Sequence, residues 1–107
     1  MTMKKTQERK HNRDSATTEK QGVWHLGKDY CVRTVTMIQV GKLIEVTDHE
    51  LVLKDAAWIA DTGRWADFLS YGKANEVEPF PDGNIIVGRH AIIDACIWKH
   101  GRLRSQK

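Results

Sequence analysis

The run Glu50–Ala60 (ELVLKDAAWIA) constrains the fold more than any other segment of the chain. Leu51, Leu53, Ala57 and Ile59 fall on one side of an extended backbone, and Val52, Ala56 and Trp58 on the other. A strand with two apolar sides has to be covered on both, by its own domain or by a neighbouring subunit. The flanking sequence supplies strands to pair with it. Tyr30–Val40 is rich in β-branched residues and free of Pro and Gly, which predicts a strand. Val35 and Met37 share one face of it and Ile38 and Val40 the other, so a bulge or bend is expected near Thr36. Gly41 punctuates, Lys42–Val46 forms a further strand, and Thr47-Asp48-His49 turns the chain into Glu50–Lys54.

Beyond this run the pattern changes. Asp61-Thr62-Gly63 offers N-cap residues for a short helix from about Gly63 to Tyr71. Trp65, Phe68 and Leu69 form its apolar stripe, and Gly72 is placed to cap its C-terminus. Asn75–Asn84 contains Pro79, Pro81 and a Pro-Asp-Gly turn, and reads as a loop. Ile85–Val87 is a strand. In Ala91–Trp98 the alternation of Ala91, Ile93, Ala95 and Ile97 favours strand over helix. The fold class expected is mainly β (β-rich α+β). The architecture is a small antiparallel sheet or SH3-like barrel of about five strands with one short helix.

Charge divides the chain. In Met1–Gln21, six Lys/Arg face three Asp/Glu, and beyond the first three residues only Ala16 is apolar. Such a stretch buries too little to offset its ordering entropy, so residues 1–21 are expected to be a disordered basic arm. Residues 22–107 form a single domain with eleven basic and eleven acidic side chains. Within it the tail Lys99–Lys107 carries +4, leaving −4 on Gly22–Trp98. A small domain is marginal alone, and all four tryptophans lie in it, which points to a subunit or ligand interface. Cys31 and Cys96 sit among apolar neighbours and read as buried, reduced thiols. Neither a transmembrane-length apolar run nor a signal-peptide core is present, so a cytoplasmic protein without membrane partners is expected.

The chain carries no nucleophile elbow, HExxH motif or P-loop. His90, Cys96 and His100 are too loosely spaced for a zinc motif. The expectation is no catalytic residue, no metal, no cofactor and no enzyme. Ala56–Phe68 is the segment best suited to a ligand. Its Asp61-Thr62-Gly63-Arg64 stretch would present backbone amides and a guanidinium to an anion, and Trp58 could stack on a base. For Arg64 and the turn before it, a plain surface role fits equally well. Trp65 lies on the helix stripe and reads as core. Arg33 interrupts an apolar strand, so either it pairs with Asp55 or Glu78 or it faces a ligand. Arg89 and His90, and the tail residues Arg102 and Arg104, are further candidates for a ligand.

The stretches Arg33-Thr34-Val35-Thr36, Gly41-Lys42-Leu43 and Leu51–Ala56, followed by a Trp-containing turn, resemble small phage and prophage proteins. Ala56–Arg64 (AAWIADTGR), Glu76–Gly83 (EVEPFPDG) and Val87–Asp94 are similar to a closer set within that group. The architecture is also similar to the phage Thoeris anti-defence sponges. That resemblance implies a homo-oligomer, a hexamer being one such assembly, in the bacterial host cell. It further implies sequestration of a nucleotide-derived immune messenger without cleavage. The chain departs from the wider group at Trp58-Ile59-Ala60-Asp61, where that group carries an Arg-rich aromatic run. Gly41–Ala56 resembles the hairpin of Sm-like RNA-binding barrels, which implies a nucleic-acid-binding ring as the alternative. A structural or adaptor phage protein with no small ligand is the third reading.

Overall fold

In a computed structural model of the chain, residues 22–107 are described. The arm Met1–Gln21, expected to be disordered, lies outside the described residues. The elements are β1 (Asp29–Thr34), β2 (Ile38–Val46), β3 (Glu50–Asp61), α1 (Trp65–Tyr71), β4 (Glu76–Pro79), β5 (Ile85–Gly88) and β6 (Ile92–Ile97). A short 3-10 turn, Arg89–Ala91, joins β5 to β6. All strands pair antiparallel in one sheet of order β4-β3-β2-β1-β6, with β5 also on β3. The mainly β class with one helix is therefore correct. Of the two architectures expected, the sheet is the one formed: β5 and β6 end the ladder without pairing to each other.

β3 organises everything. Its first half, Glu50–Leu53, pairs with β5, and its second half, Ala57–Asp61, pairs with β4. β2 runs along its other edge, and between Val40 and Lys42 it passes two steps while β3 passes three, from Ala57 to Lys54. The extra residue is a bulge on β3, and Asp55 there has φ 52°. One added residue inverts the phase of the pleat. Leu51 and Leu53 therefore enter one core with Tyr30, Val32, Leu43, Ala56 and Val87. Ala57 and Ile59 enter the other, with Cys31, Val40, Phe68, Val77 and Trp98. The expectation that Leu51, Leu53, Ala57 and Ile59 share a face is corrected by this bulge.

Three other boundaries move. The phase change expected near Thr36 is a complete hairpin turn, closed by the Thr34 N–H donating to the Met37 carbonyl at 2.8 Å. Gly41 is interior to β2, opposite Tyr30, rather than a break. Part of the expected Asn75–Asn84 loop is β4, which tolerates Pro79 because proline can end an edge strand. The chain end then covers its outer side: Val77 and Lys107 exchange N–H···O bonds of 3.0 and 2.9 Å. The Pro81-Asp82-Gly83 turn is as expected, with Gly83 at φ 88° accepting from the Ala56 N–H at 2.7 Å. The last segment is a strand, beginning at Ile92.

Candidate functional site

Arg33 is the centre of the site. It is the last but one residue of β1, directly opposite Asp94 on β6. Its Nε donates to Asp94 Oδ1 at 3.0 Å and its second terminal nitrogen to Oδ2 at 2.5 Å, a bidentate pair. The expected partners Asp55 and Glu78 are not used, because antiparallel register brings Asp94 alongside and leaves those two on β3 and β4. The hydrogen bond from Arg33 holds the Asp94 carboxyl below the ordinary carboxylate range. Both side chains remain partly exposed, so water and salt screen the pair.

The Arg33 guanidinium also lies over the Trp65 ring, 4.9 Å from its centroid. Trp65 stacks on Phe68 at 5.6 Å, and Phe68 meets Trp98 at 4.7 Å. Phe68 is fully buried and Trp98 nearly so. A column of aromatic rings rising from the core therefore orients Arg33. Trp65, read from the helix stripe as core, packs on that core and supports the guanidinium as well.

On either side of Arg33 is a depression. The larger, about 430 Å³, lies between the β1–β2 turn (Thr34–Ile38), the Trp58–Ala60 stretch of β3 and Ile93. Trp58 is 37% exposed, and Arg33 is the only ionisable residue of the lining. The smaller, about 180 Å³, is walled by Trp65, Leu69, Asp94, Ala95 and the two cysteines. Beside Trp58 in the sheet sits Gln39, a buried residue whose Oε1 has no hydrogen-bond partner.

The expected site residues separate into groups. Arg33 and Trp58 share the larger depression. Asp61, Thr62, Gly63 and Arg64 follow directly, but not as a helix N-terminus open to an anion. α1 begins at Trp65, Arg64 is its N-cap without a side-chain bond, and Asp61 Oδ1 accepts the Gly63 N–H at 2.8 Å. Thr62 turns its hydroxyl on the Gly63 carbonyl at 2.7 Å. The Gly63 amide is thus taken by the chain's own carboxylate. Gly63, at φ 68°, is where glycine is required for this turn.

Arg89 and His90 are elsewhere. They lie in the 3-10 turn against the β2–β3 hairpin, where Arg89 donates to the Thr47 carbonyl at 2.5 Å and His90 lies 6.0 Å from the His49 ring. Arg102 and Arg104 fasten the tail to the sheet. Arg102 pairs with Asp55 at 3.1 Å, and Arg104 donates to the carbonyls of Ala56 at 2.6 Å and Phe80 at 3.0 Å. Two of these acceptors, the Asp55 carboxylate and the Ala56 carbonyl, belong to the β3 bulge.

Sequence reading missed the hairpin turn Thr34–Ile38, Ile93 and Asp94 as parts of the site. The change of alternation at Thr36 was the available signal, and it was read as a bend within one strand. Among the described residues no group of three or more His, Cys, Asp or Glu could hold a metal ion. Nor is any helix among them long and apolar enough to cross a membrane. Compared with protein-family models, curated proteins and solved structures, the chain matches none.

Proposed function

We propose that this chain is a binding protein that holds a nucleotide-type small molecule in the depression between the β1–β2 turn and Trp58. The observation that carries the reading is the juxtaposition of an exposed indole with a single, oriented guanidinium across one open cleft. A base stacks on Trp58 and a phosphate takes the outer edge of Arg33, sharing it with Asp94. Catalysis is not part of the proposal: apart from Arg33 the lining is Trp, Thr, Ala, Met, Val and Ile, and the one carboxylate next to Arg33, that of Asp94, is held in the ion pair and is not part of that lining. The biological role we assign is sequestration of a nucleotide-derived immune messenger without cleavage, as the resemblance to phage anti-defence sponges implies. In that reading the protein works as a homo-oligomer in the host cytoplasm. Two features support assembly: β6 is an edge strand without Lys or Pro, and Ile93 and Ile97 are 59% and 39% exposed.

Thermal-shift titration of the full chain against cyclic dinucleotides and cyclic ADP-ribose isomers tests the proposal, since a ligand of the native state raises the midpoint. At least one compound should raise it, Trp58→Ala should remove that rise, and the compound should be recovered intact from the complex. A panel without effect, or a rise indifferent to Trp58→Ala, would refute the site. Binding to random RNA that weakens steeply with salt would replace it with the nucleic-acid reading.

A further inference from the structure

Cys31 and Cys96, expected as two separate buried thiols, are direct cross-strand partners on β1 and β6. Cys31 is buried and Cys96 is exposed. Both line the smaller depression beside Trp65, so solvent and small molecules reach the pair from one side. We propose that Cys31 and Cys96 form a reversible dithiol–disulfide couple that exchanges with small-molecule disulfides of the glutathione class.

The register sets the character of the bond. The Trp98 N–H donates to the Asp29 carbonyl at 2.8 Å, and Cys31 and Cys96 stand two steps along from that pair. They therefore occupy a hydrogen-bonded position of the ladder, where Cα atoms are about 5.5 Å apart. That spacing falls inside the disulfide range, but cross-strand Cβ atoms at about 5 Å must approach to about 4 Å. Closure draws β6 onto β1 and leaves the bond under strain, the condition for a labile disulfide as opposed to a permanent staple. β6 can give way, since it has one neighbour only and already carries a register shift beside Asp94.

The chemistry is thiol–disulfide exchange. The exposed Cys96 thiolate attacks the small disulfide, forming a mixed disulfide and releasing one small thiolate. Cys31 loses its proton to water and attacks Cys96 Sγ, closing the protein disulfide and releasing the second small thiolate. Two protein thiols are oxidised and one small disulfide is reduced to two thiols. Burial, with a lesser effect of the adjacent Cys96, pushes the Cys31 thiol up to about 12, which makes the second step the slow one.

The test is to incubate the reduced full chain with oxidised glutathione and follow intact mass, then map the peptides. The expected end product is a monomer lighter by two hydrogens, with Cys31 joined to Cys96, reached through a transient adduct on Cys96. The closing step should quicken by about tenfold per pH unit over the neutral and mildly alkaline range, following the thiolate fraction of Cys31. Cys31→Ser should stop at the adduct, and Cys96→Ser should leave the folded chain unmodified. A stable adduct on wild-type Cys96 with Cys31 still free, a Cys96–Cys96 linked dimer, or no reaction would each overturn the proposal. All of these readouts are independent of ligand binding.

Discussion

Replacing Gly41 with alanine sets two opposed effects against each other, and the structure decides the sign. Gly41 has an ordinary backbone conformation, outside the positive-φ region, so alanine meets no torsional strain there. Removing the freedom of glycine from the unfolded chain would by itself stabilise the fold by about 0.4–1 kcal/mol. The added Cβ, however, would stand 3.0 Å from Leu53 Cβ, 3.1 Å from Ala56 Cβ and 3.2 Å from Ala56 Cα. Leu53 and Ala56 are fully buried, and the Ala56 Cα is backbone at the β3 bulge, so nothing can rotate out of the way. Overpacking of this kind costs about 1–3 kcal/mol. The balance is a net loss of about 1–2 kcal/mol, or a midpoint lower by roughly 5–15 °C for a domain of this size. Differential scanning calorimetry with a parallel urea titration measures it. Adding Ala56→Gly removes the nearest methyl, and a double-mutant cycle should return a favourable coupling of about 1 kcal/mol. A Gly41→Ala protein with a raised midpoint would refute the close approach of β2 to the bulge.

Two further expectations concern the neighbourhood of the site. Gln39→Met should raise the urea midpoint, stabilising the fold by about 1 kcal/mol, because it removes a buried acceptor that has no partner; a lower midpoint would show that the amide is satisfied. The Asp94 carboxyl should titrate below its ordinary value in carbon-detected NMR, and Arg33→Ala should return it towards that value. Because the folded value is the depressed one, the pair's contribution to stability is fully present above the ordinary carboxylate range near pH 4. It is lost as pH falls through the folded value, so the stabilities of wild type and Arg33→Ala should converge in acid; a constant difference would contradict the pairing.

Much of the fold was legible because it follows from local chemistry. Alternating β-branched runs gave β2, β3, β5 and β6 near their observed places, and Pro-Asp-Gly gave the turn after β4. The helix stripe of Trp65, Phe68 and Leu69 was correct as well, and all three pack on one core. The β1–β2 hairpin was hidden because Val35-Thr36-Met37 contains neither Gly nor Pro. Its turn is made by Thr34, whose hydroxyl accepts the Met37 N–H at 3.2 Å, a local bond that any Thr can make and that leaves no distinctive mark in the sequence. Of the site, the sequence marked Arg33 as a charge out of place and Trp58 as an indole in a two-faced strand. It offered Asp55 or Glu78 as the partner of Arg33 and missed Asp94.

That choice belongs to register. Periodicity and composition by themselves determined a mainly β chain of alternating strands, one short helix and a charge-segregated tail, since each depends only on residues near in sequence. The bulge at Asp55 that splits one apolar run between two cores required the tertiary structure. So did the meeting of Arg33 with Asp94 across 61 positions, and that of Cys31 with Cys96 across 65. The anchoring of Arg102 and Arg104 to β3 is of the same kind. In each case the partner is set by which strands lie side by side and by how many residues each passes, a property of the whole sheet and of no single segment.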